Sequence, residues 1–223
     1  MSSLLSGSGG PSCAAEPLPA RNPVAPLLGA LGALEGWLRS EALDHVYIGG
    51  LAVALVGRPR ITQDIDGIVL LGGMSIREAL RRARRAGLSP RLPDAAGFAE
   101  KSRVLLLRHD GTGVPIDLSI GFLPFEEEAV RRARTMRAKG LEIPVATPED
   151  LVVLKAIAGR PRDIVDIEGL IAANPGIDRK RIRSVTAAFA DLLEAPEVLE
   201  SLDRWLEAPR PKKAPRRKVP PKG

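Results

Sequence analysis

Two aspartates, Asp64 and Asp66, open an apolar run that continues Gly67-Ile68-Val69-Leu70-Leu71. Residues two apart in a strand point to the same face, so the spacing sets two carboxylates side by side. Like charges so placed repel, and neither can be buried without compensation. A divalent cation supplies it: Mg²⁺ takes oxygen ligands and keeps positions open for substrate phosphates. A third acid, Asp117, lies inside the run Val114-Pro115-Ile116-Asp117-Leu118-Ser119. With that strand beside the first, three acids could hold two metals that clamp the attacking and leaving oxygens of a phosphoryl displacement. An isolated Asp-x-Asp is more often an exposed turn. Asp117 and the glycines described next weigh against that reading.

Gly49-Gly50 follows the short apolar run Val46-Tyr47-Ile48 and precedes Leu51-Ala52-Val53. Glycine permits close backbone approach, and a helix N-terminus offers free N–H groups to an anion. A triphosphate suits such a turn, although a tight strand-to-helix connection needs no ligand. Arg60, shortly before the acids, could contact phosphate or be a solvated loop arginine. Farther along, Leu151, Lys155 and Ala158 share one helical face. A lysine on an apolar stripe needs a partner: a phosphate, a site carboxylate, or solvent reached from the stripe's edge. Asp163 and Asp166 are near helical neighbours, and both also suit a cap or surface role.

The elements that must position these groups read as follows. Periodicity predicts helices over 27–43, 51–56, 75–86 and 124–137, and strands over 46–48, 65–71, 104–108 and 114–120. Asp110-Gly111-Thr112-Gly113 marks a hairpin between the last two strands, so the sheet is at least partly antiparallel. Residues 143–146 read as an edge strand. From Thr147 the pattern is only helical, over 148–158, 161–173, 178–194 and 196–206. Thr147-Pro148-Glu149-Asp150 is a strong helix start. Two charge clusters read as structural: the arginines at 81–85 as a solvated face, and the acids of 126–128 followed by bases as one dipole-matched helix. The fold class is α+β: a small mixed β-sheet core with flanking helices over 25–146, then a helical region over 147–207 that completes the site.

Composition narrows the function classes. Hydrophobic residues make up 44%, enough for an ordinary core, while aromatics at 3% argue against a base-stacking platform. The net charge of +6 is concentrated at the end, where residues 209–223 carry seven Lys/Arg and no acid. Residues 1–24 and 208–223 read as disordered on Pro, Gly and Ser content and on charge. The basic tail reads as a solubilising end or as a salt-sensitive nucleic-acid tether. Cys13 is the one cysteine, so there is no disulfide framework. With neither a signal-peptide pattern nor an apolar stretch of membrane length, the expectation is a cytoplasmic protein without a membrane partner.

Gly49-Gly50, Asp64-Ile65-Asp66 and Asp117 together resemble the core of the polymerase-β-type nucleotidyltransferases. Pro148-Glu149-Asp150-Leu151 through Lys155, Ala158, Arg160, Asp163 and Asp166 resembles the AbiEii/AbiGii toxin-like branch. The resemblance implies that Asp64, Asp66 and Asp117 bind Mg²⁺ and that the loop of Gly49 and Gly50 holds the triphosphate of an NTP. It gives Lys155 a phosphate contact and Asp163 or Asp166 a supporting catalytic role. It implies transfer of a nucleoside monophosphate to an acceptor hydroxyl, with RNA or tRNA as the acceptor and a cognate antitoxin as a partner. The alternatives are a small-molecule, aminoglycoside-type nucleotidyltransferase and a non-catalytic nucleotide or nucleic-acid binder. The chain departs from the superfamily in having Gly-Gly where Gly-Ser is commoner, so the loop lacks a hydroxyl.

Overall fold

The structure is a computed structural model and describes residues 24–207. The expected disordered ends, Cys13 and the basic tail lie outside the described residues, apart from Val24, which precedes the first helix. The elements run α1 (Ala25–Ser40), β1 (His45–Ile48), α2 (Gly49–Val56), β2 (Ile65–Val69), α3 (Ile76–Arg85), β3 (Leu88–Pro90), α4 (Ala95–Ser102), β4 (Val104–His109) and β5 (Pro115–Ile120). They continue α5 (Pro124–Arg131), β6 (Arg134–Ala138), β7 (Leu141–Val145), α6 (Pro148–Ala158), α7 (Pro161–Ala173), α8 (Arg179–Leu192) and α9 (Pro196–Glu207). This is the mixed α/β class expected.

Seven strands form one mixed sheet in the order β3-β4-β5-β2-β1-β7-β6. The β4–β5 hairpin is antiparallel, as its turn residues require, whereas β2 and β5 pair in parallel. That pairing sets Asp66 directly opposite Asp117. On the other side of β2, Ile48 of β1 faces Asp66. Alternation along β5 is clean: Ile116, Leu118 and Ile120 are buried, while Pro115, Asp117 and Ser119 are half-buried. One face of the strand thus belongs to the core and the other carries the acid. Buried hydrophobic residues from Ala30 to Leu206 form one contiguous cluster, including the fully buried Tyr47, Ile65, Leu105 and Ile116.

Two local expectations fail. The helix expected over 124–137 ends at Arg131, and residues 134–138 form β6. Lys139 and Gly140 both have positive φ, 49° and 84°, and turn β6 straight into β7. Such paired positive φ values characterise the two-residue turns that match strand twist. The strand expected at 143–146 is therefore not an edge: β7 lies between β1 and β6. Residues 87–103, unassigned from sequence, contain β3 and α4, the latter started by Asp94, whose carboxylate accepts from the Gly97 N–H at 3.0 Å. The charge clusters are also more engaged than a solvated face. Arg82 is ion-paired with Glu78 and Glu41, and Glu126 accepts from the Phe122 and Leu123 N–H groups at 3.0 Å.

The helical stretch begins where expected. Thr147 caps α6 by accepting from the Asp150 N–H at 3.2 Å, and Gly159 ends it at φ +62°. Asp150 is fully buried and is met by Thr147 Oγ1 at 2.7 Å, Arg181 Nη2 at 3.1 Å and Arg132 Nε at 3.4 Å, a network tying α8 and the end of α5 to the start of α6. Helix α2 packs on α6 and α7 as well as on β1 and β2. That packing carries the α6–α7 junction over the β1–α2 turn.

Candidate active site

A cleft of about 1020 Å³ opens where the C-terminal end of β1, the start of β2 and the α6–α7 junction meet. Its walls include Gly49, Gly50, Arg60, Asp64, Asp66, Asp117, Lys155 and Asp163. Asp166 stands immediately behind, in contact with Lys155 and Arg60. The fold thus gathers the candidate site residues around one cleft.

The glycine pair is held tightly against the acids. Gly49 has φ +61°, and a Cβ there would lie 2.0 Å from Asp66 Oδ2. A side chain at this position meets both left-handed backbone strain and a collision. The Gly50 N–H donates to the Asp66 carboxylate. A Cβ on Gly50 would come within 2.5 Å of Thr62 Oγ1 and 2.8 Å of Arg60 Nη2. A serine here would have to displace the ends of the Thr62 and Arg60 side chains.

Burial pushes the Asp66 carboxyl above the ordinary carboxylate range, and the charges of Asp64 and Asp117 push it further, against the Gly50 N–H and Lys155. Burial likewise raises Asp117, with Arg91 opposing and Asp64 adding to the rise. Asp66 and Asp117 both feel burial and the charge of Asp64, the condition a hard divalent cation relieves. Their all-oxygen donor set suits Mg²⁺. The carboxylates are at present turned to protein partners: Thr62 Oγ1 donates to Asp64 Oδ1 at 2.7 Å, and Arg91 is ion-paired with Asp117. Among the described residues, no three His, Cys, Asp or Glu side chains cluster as a metal-ion group. Donor chemistry and coupling fit the cation, while side-chain orientation leaves the trio open.

Across the cleft, Lys155 is buried between two carboxylates, with Nζ 2.6 Å from Asp163 Oδ1 and 2.8 Å from Asp166 Oδ2. Its partners are thus acids of α7. Pro161 takes the first turn of α7, where its missing N–H costs nothing, and this places Asp163 to accept from the Arg160 N–H at 3.2 Å and from Arg160 Nε at 3.0 Å. Burial alone would raise the Asp163 carboxyl. Lys155 and Arg160 more than offset this and hold it below the ordinary range. Asp166 Oδ2 accepts no directed hydrogen bond despite its nearness to Lys155, and Arg60 Nη2 stands 3.5 Å from it. Arg60 Nε is buried without a partner. Lys155, Asp163, Asp166, Arg60 and Arg160 thus form one charged cluster along the α6–α7 wall of the cleft.

Sequence reasoning missed Arg91 and Thr62. Thr62 alternates with Arg60, Asp64 and Asp66 along one short stretch, a signal that was available. Arg91 reaches Asp117 only through the unassigned β3, and nothing local marks it.

Strand order, the Asp66–Asp117 register and the glycine turn define a nucleotidyltransferase fold. The solution structure of the antibiotic-resistance factor ANT(2'')-Ia aligns with a TM-score of 0.52 at 15% identity, covering 79% of this chain and 98% of that one. The crystal structure of ANT(2'')-Ia with adenylyl-2''-tobramycin aligns with a TM-score of 0.50 at 15% identity, covering 75% and 98%. At that identity the likeness is one of fold. No curated protein sequence matches the chain. Residues 35–219 match the family described as nucleotidyl transferase AbiEii toxin, type IV TA system. The chain belongs to this family of nucleotidyltransferases. Among the described residues, no helix is long and apolar enough to cross a membrane.

Proposed function

We propose that the protein transfers a nucleoside monophosphate from an NTP to an acceptor hydroxyl and releases pyrophosphate, using Mg²⁺ held by Asp64, Asp66 and Asp117. The observation that carries this reading is the Asp66–Asp117 pair on adjacent parallel strands, with the Gly49-Gly50 turn closed against Asp66. The turn and the start of α2 receive the triphosphate through backbone N–H groups. Arg60, which lines the cleft, adds a cation beside the turn. Lys155, fixed by Asp163 and Asp166, carries positive charge on the wall where the leaving group departs. Asp117, at the rim of the cleft, takes the proton of the acceptor hydroxyl. That oxygen bonds to the α-phosphorus as the bond to the bridging oxygen of the β-phosphate breaks, and pyrophosphate leaves. Bound Mg²⁺ supplies charge neutralisation of the phosphates and of the attacking oxygen.

The acceptor we favour is RNA, tRNA included, with a cognate antitoxin as partner, because the family is described as a toxin of a type IV TA system. The reaction is tested with purified protein, Mg²⁺, labelled NTPs and total RNA, with aminoglycosides as a parallel acceptor arm. Label transfer that disappears with chelator and with Asp66→Ala supports it. NTP binding by calorimetry without turnover on any acceptor would instead make the protein a nucleotide binder.

A further inference from the structure

We propose that Arg91 binds the acceptor: its guanidinium, seated on Asp117, grips a phosphate that the acceptor carries beside its reacting hydroxyl. The assignment rests on the transfer reading above and names the acceptor side of that site. It follows from a row of residues across the sheet. The Arg91 N–H donates to the Leu106 carbonyl at 2.9 Å, Leu106 is the β4 partner of Asp117, and Asp117 is the β5 partner of Asp66. Cross-strand partners share a face, so the face reads glycine turn, Asp66, Asp117, Leu106, Arg91. The triphosphate turn stands at one end of this row and Arg91 at the other, with Asp117 between them. A hydroxyl attacking in line opposite the leaving pyrophosphate approaches from the Arg91 end.

Four further observations fit a ligand there. Arg91 makes one ion pair among the described residues, to Asp117 through Nη2. A guanidinium has five donors in a planar fork, so one edge can hold Asp117 while the rest meet a phosphate. The backbone of Arg91 is anchored to β4, so its side chain is presented from a fixed base. The face beyond Asp117 is open: Val104 and Leu106 are only half-buried, whereas Leu105 and Leu107 on the reverse face are fully buried. Arg108, exposed and two residues from Leu106 on the same face, adds a second cation. Two arginines beside the proton acceptor favour an anionic acceptor and repel a polycationic one.

The test compares wild type with Arg91→Ala, Arg91→Lys and, as a control away from this face, Arg77→Ala on α3. Acceptor and NTP are varied separately with a short oligoribonucleotide as acceptor. Arg91→Ala is expected to raise the acceptor KM roughly tenfold or more, the size of a lost charge-assisted contact, while the NTP KM stays within about twofold. Arg91→Lys recovers part of the loss and Arg77→Ala none is lost. Unchanged acceptor KM, or a rise confined to NTP, would overturn the assignment. Binding of the labelled oligoribonucleotide by fluorescence anisotropy needs no turnover. If wild type transfers to nothing, the transfer reading fails, yet equal affinity of wild type and Arg91→Ala still overturns the arginine's role separately. A nucleoside monophosphate is run alongside. Loss of both ligands in Arg91→Ala marks a single-phosphate contact and loss of the oligonucleotide alone a chain contact, and either supports the assignment.

Discussion

Replacing Lys155 with methionine removes one positive charge from between two carboxylates and keeps most of the side-chain volume. Lys155, Asp163 and Asp166 have side-chain exposures of 10%, 4% and 6%, so solvent screens little of the loss. Breaking a buried pair by deleting one partner costs about 3–5 kcal/mol, because the remaining charge is left uncompensated. Arg160 still reaches Asp163 and Arg60 still stands near Asp166, at 3.0 and 3.5 Å. Those surviving contacts favour the lower end, about 3 kcal/mol. For a chain of this size, a drop of that order lowers Tm by about 6–12 °C. Urea unfolding at neutral pH with an unchanged m-value is the measurement. The pH dependence adds a second check. The Asp163 carboxyl sits below its reference value of 3.8, since Lys155 and Arg160 overcome the upward push of burial. A carboxylate with a lowered folded value contributes stability above its unfolded value and loses it as pH falls through the folded one. The wild-type advantage over Lys155→Met must therefore shrink in acid. A loss under about 0.5 kcal/mol, the ordinary surface scale, or one that persists unchanged in acid, would refute this account of the buried triad.

Other outcomes follow from the same geometry. Gly49→Ala should cost at least the roughly 1–2 kcal/mol of a left-handed alanine, and more than Gly72→Ala. Gly72 has φ +57° but open space around its Cβ, so the difference in urea unfolding isolates the collision with Asp66. Asp66→Asn should abolish transfer, by roughly a hundredfold or more, yet raise Tm in chelator at neutral pH. Burial and its two acidic neighbours raise the Asp66 carboxyl in the fold, so its charge opposes folding once pH passes the unfolded value. The stabilisation should vanish in acid, where wild-type Asp66 is also neutral, and calorimetric melts across pH will show it. Asp150→Ala should destabilise by about 3 kcal/mol with little change in NTP KM, since it frees Arg132 and part of Arg181 at a distance from the cleft. Chemical unfolding and initial-rate kinetics separate the two effects.

The acids were legible because their signal is local. Asp66 and Asp117 each interrupt an apolar strand, Asp64 stands just ahead of β2, and alternation says which strand side chains share a face. The caps at Thr147 and Pro148 are equally local, which is why α6 begins where its sequence says. Arg91 was illegible for the opposite reason: its partner lies on another strand, and the contact exists only once β3 adds to β4. The end of α5 was misread because Arg131, Arg132, Arg134 and Arg137 continue a helical-looking charge pattern. What decides the chain's path there is the backbone of Lys139-Gly140, whose positive φ angles dock residues 134–138 on β7. On the expected stripe Leu151 and Lys155 are buried and Ala158 is exposed, and the lysine's choice among phosphate, carboxylate and solvent depended on α7, whose Asp163 and Asp166 meet it.

The parallel pairings have a consequence for how activity arises. Tyr47 pairs with Val145, and Asp66 with Asp117, each across a long intervening stretch of chain. Such contacts repay their loop-closure entropy only late and make folding slow relative to local structure. The cleft draws on β1, β2, β5, α6 and α7 together, so no early fragment contains it. A growing chain has to extend beyond α7 before the acids, the glycine turn and Lys155 can meet. The site is thus a product of tertiary assembly and not of any one segment.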